Sequence, residues 1–261
     1  MSITRLALRF AAPLPKLLDF QRYLFIGPHP DDIEIGAGAT AARLRSMGKE
    51  VCFLICTDGR YGDGAAPAGI SREELVALRR RESLASARAL GVEDVRFLNL
   101  SDGGFYTEEQ LLRAMAAVIG DFKPDCIFAP DPFVSSECHV DHLRCGRAAG
   151  QLAYMAPYAG VMEGYGSAAA PVEVLAYYMT ARPSAYVKTR DYLEQQLRSI
   201  FDCHRSQFPP DTAESKALGL YLRLRSADMG LRCFCTAAEG FRVLGRVHMH
   251  CLPEAGRQAD F

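Results

Sequence analysis

The chain has 261 residues, of which 49% are hydrophobic and 23% are charged, a composition typical of an ordinary globular protein. Its net charge of −1 argues against a nucleic-acid partner, because such proteins usually carry a basic surface, and no apolar run approaches the ~18 residues of a transmembrane segment. The N-terminal stretch has no long apolar core and the nine cysteines show no framework spacing, so we predict no signal peptide, reduced thiols and a cytoplasmic protein.

Strands and helices alternate through the first part of the chain. We predict strands at residues 23–27, 51–56, 95–98 and 126–129, and helices that include residues 38–47, 71–90, 107–122 and 141–154. Ser71 with Glu74, and Thr107 with Gln110, form capping boxes at the start of two of these helices. The alternation predicts an α/β fold with a Rossmann-like, doubly wound, mostly parallel sheet. In the strand order 3-2-1-4, the first and fourth strands are neighbours.

The pattern weakens after residue 156. We expect a flexible small-residue segment at 160–170, a strand at 172–179, helices at 191–203 and 213–227, and a short strand at 241–244. Together these would form a small C-terminal α+β appendage. We therefore predict one domain over residues 1–261, made of a core at 22–155 and a C-terminal extension at 156–261.

A histidine and two carboxylates follow the first predicted strand directly. His29 and Asp32 are three residues apart, so their side chains can lean over one point, while Asp31 is turned away from that pair. An imidazole and a carboxylate are typical metal ligands, and the second carboxylate would be free to act as a base. The alternative is that an aspartate only caps the next helix and His29 is a loop residue.

A second cluster, His139, Asp141 and His142, follows the fourth predicted strand. Ligands of open α/β sheets bind at the carboxyl ends of the strands, where the connections of neighbouring strands diverge. The predicted strand order brings the two clusters to that place. Two such clusters are difficult to explain by helix capping, and we predict a divalent metal site between them.

Two other patterns offer alternative ligands. The glycine-rich residues 36–41, with Asp58 downstream, partly match a dinucleotide fingerprint, but the turn after the strand lacks the glycines, and close helix–sheet packing explains them better. A structural zinc site could use four residues of the C-terminal part, with core thiols and surface imidazoles as the simpler interpretation. These four are Cys233, Cys235, His248 and His250.

Several polar residues lie on the same side of the predicted sheet. Arg79 and Glu82 are at helical spacing after the polar loop that ends the second strand, and Asp102 lies in the glycine-rich loop after the third. His204 follows a predicted helix, where the helix dipole alone could favour it.

The motifs together resemble the LmbE-like (PIG-L) family of zinc-dependent N-acetylglucosamine deacetylases over residues 22–155. The matching segments are Pro28-His29-Pro30-Asp31-Asp32, Thr57-Asp58-Gly59, Arg79-x-x-Glu82, Lys123-Pro124-Asp125 and His139-x-Asp141-His142. A weaker similarity continues in His204-x-Ser206-Gln207 and Ala238-Glu239-Gly240-Phe241. Three positions depart from the family pattern, namely Val140, Cys138 and Gly103. The last two stand where arginine is frequent, which leaves arginine contacts to an anionic substrate group in doubt.

The resemblance implies a role for each motif residue. It implies one Zn²⁺ per chain held by His29, Asp32 and His142, with Asp31 as the general base. His139 would be an electrostatic catalytic residue oriented by Asp141. Arg79 and Asp102 would fall at substrate-contact positions, and a homo-oligomer is expected.

We therefore predict a hydrolase that removes the N-acetyl group from an N-acetylglucosamine-type sugar or glycoside. One alternative is an amidase or deacetylase of a larger natural-product or thiol-conjugate glycoside. Another is a sugar-binding homologue that has lost catalysis, against which the intact Asp31 argues. The loops at 62–69, 133–138 and 160–170 are expected to determine which sugar is bound.

Overall fold

The computed structural model describes residues 10–250 and residue 252. Its strands are β1 (Arg22–Gly27), β2 (Glu50–Thr57), β3 (Asp94–Leu100), β4 (Cys126–Pro130), β5 (Val174–Tyr178), β6 (Ala185–Lys188) and β7 (Ala238–Gly245). Its helices are α1 (Asp32–Ser46), α2 (Arg72–Ala89), α3 (Glu108–Phe122), α4 (Val140–Met155), α5 (Ala159–Gly164), α6 (Leu193–Phe201) and α7 (Ala213–Arg232). A short 3-10 helix, Arg246–Met249, follows β7. The first nine residues of the stretch in which we predict no signal peptide lie outside this description.

The seven strands form one sheet in the order β3-β2-β1-β4-β5-β7-β6. Strands β1 to β5 run parallel, whereas β7 is antiparallel to both β5 and β6. The predicted doubly wound α/β class and the 3-2-1-4 order are therefore confirmed. Both capping boxes, Ser71 with Glu74 and Thr107 with Gln110, are also confirmed by reciprocal hydrogen bonds.

Three details of the C-terminal part differ from the prediction. The segment expected to be flexible contains α5, and the final strand β7 has eight residues rather than four. Strand β6 was not predicted, because four residues are too few to show a hydrophobic period and pairing with β7 defines it. Strands β5, β7 and β6 continue the sheet of the N-terminal core, so the C-terminal α+β part and the core are built on one sheet.

Two hydrophobic clusters cover the two faces of the sheet. Helices α3 and α4 pack on one face, and α1 and α2 pack on the other. On the second face, Phe25 stacks on Phe128 with ring centroids 4.3 Å apart, and Phe241 of β7 meets Phe128 edge-on. Among residues 10–250 and 252, no helix combines the length and the apolar content needed to cross a bilayer.

Helix α1 contains a kink that Glu239 of β7 supports. Ala37 has a non-helical backbone (φ −154°, ψ 16°), so the helix in effect starts a second time after it. The buried Glu239 carboxylate accepts hydrogen bonds from the N–H groups of Ala39 and Thr40 at 3.2 and 2.7 Å, and from Gln196 Nε2 at 3.0 Å. It therefore caps the second half of α1 from another part of the chain.

The glycines of α1 serve packing, as the sequence favoured, and the dinucleotide interpretation is wrong. A Cβ built on Gly36 would lie 2.2 Å from the Tyr178 ring, and one on Gly38 would lie 3.1 Å from Gln196 Cγ. Asp58, the candidate ribose ligand, instead pairs with Arg60.

We expect Glu239 to make stability depend on pH. Burial raises the pKa of Glu239 from 4.5 to about 7, although its hydrogen-bond donors oppose the shift. A raised pKa in the folded state stabilises the protein at low pH, and this contribution is lost as pH rises through about 7. Compared with Glu239→Gln, which cannot titrate, wild type should lose roughly 2–3 kcal/mol of unfolding free energy between about pH 5 and about pH 8.

Chemical denaturation of both proteins at the two pH values measures this difference. The exposed Glu73→Gln serves as the matched control and should show no such change. An equal difference between wild type and Glu239→Gln at both pH values would contradict the prediction.

Candidate functional site

The three predicted metal ligands meet at the carboxyl ends of β1 and β4. Asp32 Oδ2 lies 3.1 Å from His29 Nδ1 and 3.3 Å from His142 Nε2. Possible ligand atoms of the three residues all lie within 4.8 Å of one another. His29 leaves the end of β1, Asp32 begins α1, and His142 lies in the first turn of α4, so the strand order alone brings them together.

The charges of this cluster suit a cation. Burial alone would raise the pKa of Asp32, but the imidazoles of His142 and His29 hold it well below its usual range. Burial would likewise lower the pKa of His29, yet hydrogen bonds to Asp102, Asp141 and Asp32 raise it to about 12. The three carboxylates around His29 that raise this pKa also attract a divalent cation, which would displace the proton on binding. Two imidazoles and one carboxylate would leave one position of a tetrahedral metal open.

Asp141 supports His29 from behind. Its carboxylate accepts hydrogen bonds from the N–H groups of Gly103 (2.8 Å) and Gly104 (2.9 Å) and from the hydroxyl of Tyr106 (2.8 Å). Its Oδ2 also lies 3.1 Å from His29 Nε2. This is the arrangement in which a carboxylate fixes the orientation and tautomer of a metal-binding histidine. The carboxylate is fully buried, and these four contacts satisfy it.

Asp141 also contacts His139, mainly through its backbone. The Asp141 carboxylate lies 3.8 Å from His139 Nδ1, and it is the Asp141 backbone N–H that donates to Nδ1 at 3.3 Å. A nitrogen that accepts this bond carries no proton, so in this arrangement Nε2 is the N–H donor of the ring. The ring meets the His29 ring edge-on, at 4.5 Å between centroids, and its side chain is 47% exposed.

Glu137 is a site residue that the sequence did not indicate. One of its oxygens accepts the backbone N–H of His139 at 2.8 Å, and the other lies 3.3 Å from His142 Nδ1. It is therefore a charged neighbour of His142, although His142 Nδ1 has no hydrogen-bond partner among the described residues, in contrast to the hydrogen bond between Asp141 and His29. Glu137 lies five residues before His142 in a loop without regular structure, so its spacing along the sequence could not predict this contact.

Asp31 occupies the N-cap position of α1, but its side chain makes no capping hydrogen bond. Its backbone is left-handed, with φ 114°, a strained conformation for a residue other than glycine. The carboxylate points instead to Arg79, 3.1 Å from its Nη2. The capping alternative is therefore wrong. Burial raises the pKa of Asp31 from 3.8 to about 6, although the Arg79 guanidinium opposes this.

The two predicted substrate contacts both lie next to the centre. Arg79 is only 3% exposed and also donates to the carbonyl oxygens of Gly59 (3.1 Å) and Pro30 (2.9 Å). Asp102 places Oδ1 3.3 Å from His29 Nε2, and its Oδ2 accepts the N–H of Tyr61 at 3.3 Å. Both side chains thus already bind groups of the protein, and their contact with substrate stays a prediction.

A buried polar layer lies beneath Asp31. His204 is fully buried with Nε2 3.3 Å from Glu34 Oε1, so it does not serve the end of a helix as the dipole alternative supposed. Glu82 accepts hydrogen bonds from the backbone N–H and the hydroxyl of Ser206. His204 and Ser206 therefore connect their segment to α1, whose N-cap is Asp31, and to α2, which contains Arg79.

The alternative zinc site is not assembled. Cys233 and Cys235 contact each other, with 3.4 Å between their sulfur atoms. His248 instead lies against Gly245 N and Ala12 O, and the ring of His250 lies against Tyr154. Within the described part of the chain, possible metal ligands form two groups of three or more. One contains His29, Asp32 and His142 and the other contains His29, Asp102, His139 and Asp141, so neither includes the two cysteines or His248 and His250.

Comparisons with known proteins agree with this geometry. A family model described as PIG-L, GlcNAc-PI de-N-acetylase, matches residues 24–153. A diacetylchitobiose deacetylase of Thermococcus kodakarensis is 31% identical over 244 residues, which are 91% of this chain and 88% of that protein. The N,N'-diacetylchitobiose deacetylase of Pyrococcus horikoshii, solved with its inhibitor MPG, has a TM-score of 0.84 at 30% identity and covers 97% of each chain.

A further relative matches a shorter region. A 1D-myo-inositol 2-acetamido-2-deoxy-alpha-D-glucopyranoside deacetylase of Kineococcus radiotolerans is 36% identical over 126 residues, which are 46% of this chain and 35% of that protein.

We expect the protein to bind about one divalent metal per chain and to lose it on chelation. His142→Ala removes one of three ligands and should abolish stoichiometric metal binding. His250→Ala, an exposed histidine far from the cluster in the fold, is the matched control and should retain the metal. Elemental analysis of the purified proteins measures both, and full metal content in His142→Ala would refute the ligand assignment.

Proposed function

The chain belongs to the PIG-L family, and on that basis we propose that it is a zinc-dependent hydrolase that removes the N-acetyl group from an N-acetylglucosamine-type sugar or glycoside. The observation that carries the proposal is the convergence of His29, Asp32 and His142, with the Asp31 carboxylate beside them, paired with Arg79 and outside the ligand group. Two imidazoles and one carboxylate are a donor set that zinc uses in catalytic sites.

A bound metal in this site would polarise the acetyl carbonyl and lower the pKa of a coordinated water. Asp31 is proposed to accept the proton of the attacking water. Its N-cap position holds the carboxylate next to the ligands without engaging it in capping, and Arg79 fixes its orientation through the 3.1 Å ion pair. After attack, Asp31 would return that proton to the leaving amine.

His139 is proposed to stabilise the developing negative charge on the carbonyl oxygen. The hydrogen bond from Asp141 N–H to Nδ1 leaves Nε2 as the donor, and the partly exposed ring can reach a bound substrate. A single donor of this kind typically contributes ~3–4 kcal/mol to transition-state stabilisation. His139 would remain outside the metal shell, because a fourth protein ligand would close the open position.

A deacetylase of a larger conjugate glycoside is the second candidate, and glycine and cysteine at positions 103 and 138, where arginine is frequent, favour a neutral acceptor in either case. Acetate release from a panel of N-acetylated monosaccharides, disaccharides and conjugate glycosides separates the two. No release from any member by the metal-loaded protein would favour the non-catalytic sugar-binding alternative.

We further propose a cytoplasmic homo-oligomer. The eight described cysteines are all free thiols, which suits a reducing compartment. The oligomer rests on the family resemblance, and sedimentation analysis measures it.

Asp31→Asn should separate the base from the ligands. The amide keeps the size and one oxygen of the carboxylate but cannot accept a proton, so we expect a rate loss of ~10²–10⁴ with metal content unchanged. Single-turnover acetate release and elemental analysis on the same samples provide the measurement. Loss of the metal in Asp31→Asn would mean that the two adjacent aspartates have been assigned the wrong way round.

His139→Ala should lower kcat by ~10² or more while metal affinity stays within about tenfold of wild type. We expect kcat to fall without loss of metal affinity because, in the proposed role, the ring contacts the reacting oxygen and not the metal. Steady-state kinetics and metal titration measure the two quantities. His139→Gln, which retains an N–H donor, should recover part of the rate, and a variant that is inactive because it releases its metal would contradict the assignment.

A further inference from the structure

Two aromatic side chains stand in solvent beside the candidate centre. Phe105 is 71% exposed and Tyr61 is 42% exposed. Their rings meet edge-to-face with centroids 5.7 Å apart and an interplanar angle of 64°. Fully burying a side chain of this size contributes about 1.5–3 kcal/mol. An exposed pair of rings in contact with each other is therefore a surface at which a ligand can gain binding energy.

The backbone next to each ring is tied to a carboxylate that contacts His29. The Tyr61 N–H donates to Asp102, whose other oxygen lies 3.3 Å from His29 Nε2. The Gly103 and Gly104 N–H groups, which directly precede Phe105, donate to Asp141, which also contacts His29 Nε2. The backbone that carries the two rings, on the loops after β2 and β3, is thus tied to the carboxylates of the candidate centre.

Gly103 keeps this aromatic surface open. Its φ of +80° is left-handed, and a Cβ at this position would lie 3.1 Å from Phe105 Cε2 and 3.6 Å from Tyr61 Cδ2. Any larger residue would crowd the place where the two rings meet. The Arg72 guanidinium packs 5.0 Å from the centroid of the Tyr61 ring, which restricts the movement of that ring.

We propose that Tyr61 and Phe105 form an aromatic platform for the second ring of the substrate, a pyranose linked to the sugar that is deacetylated. The C–H groups on the face of a pyranose carry partial positive charge and pack on the negative face of an aromatic ring. Arg60 is paired with Asp58, and glycine and cysteine stand at positions 103 and 138, where arginine is frequent in the family, so the platform suits a neutral sugar better than an anionic acceptor. This inference rests on the proposed deacetylation, and it assigns two residues that would bind the second sugar ring.

The first test compares a substrate that reaches the platform with one that does not. Tyr61→Ala and Phe105→Ala should each lower kcat/KM for diacetylchitobiose roughly five- to tenfold, mainly through KM, and leave N-acetylglucosamine within about twofold. Tyr61→Phe and Phe105→Tyr, which keep an aromatic face, should restore the disaccharide value. Tyr221→Ala, an exposed aromatic residue on α7, is the matched control.

A second measurement tests sugar binding by the two rings separately from the proposed deacetylation. Diacetylchitobiose binding is measured by titration calorimetry in the Asp31→Asn background, where hydrolysis is suppressed, and each alanine variant should raise Kd about tenfold. Absence of acetate release from wild type would overturn the deacetylase proposal, while the Kd shift would still support the platform.

Three results would overturn the platform itself. The first is an unchanged Kd for the disaccharide in both alanine variants. The second is an equal loss of kcat/KM on monosaccharide and disaccharide, which would mean that the rings only support the centre. The third is a change in sedimentation mass with unchanged kinetics, which would make the rings a contact between two copies of the chain.

Discussion

The imidazole of His29 lies among three buried carboxylates, and much of the site depends on this arrangement. Asp32, Asp102 and Asp141 approach its two nitrogens at 3.1, 3.3 and 3.1 Å. Burying so many charges is costly unless each finds a partner, and the fold supplies backbone N–H groups, a tyrosine hydroxyl and a second imidazole. A divalent cation would complete the compensation, which is why the cluster is interpreted as a metal centre with an ordered support rather than as a set of surface acids.

The adjacent carboxylates Asp31 and Asp32 need opposite orientations to serve as base and ligand. The left-handed backbone at Asp31 turns its carboxylate towards Arg79, while Asp32 faces the two histidines. The kink at Ala37 then lets the rest of α1 lie against the sheet, and Glu239 from the last strand caps it. The C-terminal part of the chain therefore helps to build the centre, although none of its residues is a predicted ligand.

The fold could be predicted well where one element has its own signal. Capping boxes mark the starts of α2 and α3, and continuous apolar runs mark the buried parallel strands. Strand β6 and helix α5 could not be predicted, since four or six residues contain too little periodicity and their conformation depends on the neighbours they contact. The polar residues that contact the site residues could not be predicted from sequence either. Glu137 and Glu239 are ordinary acidic residues in sequence, and only the contact of Glu137 with His142 and the burial of Glu239 against α1 give them a role.

The sequence by itself determined the ligand types, their three-residue spacing and the strand ends that carry them, because these depend on local geometry and on a short list of strand orders. It therefore placed His29, Asp31 and Asp32 at one strand end and His139, Asp141 and His142 at another, and the family resemblance implied which of them would be ligands and which the base. Only the tertiary structure decided what each carboxylate touches: the Asp141 carboxylate supports His29, while its backbone N–H contacts His139, and Arg79 reaches Asp31. The carboxylate contacts join residues 48 to 112 positions apart, and a hydrogen bond requires atoms to meet within about 3 Å. Spacing along one element cannot specify such distances, because they are set by how helices from different parts of the chain pack on the same sheet.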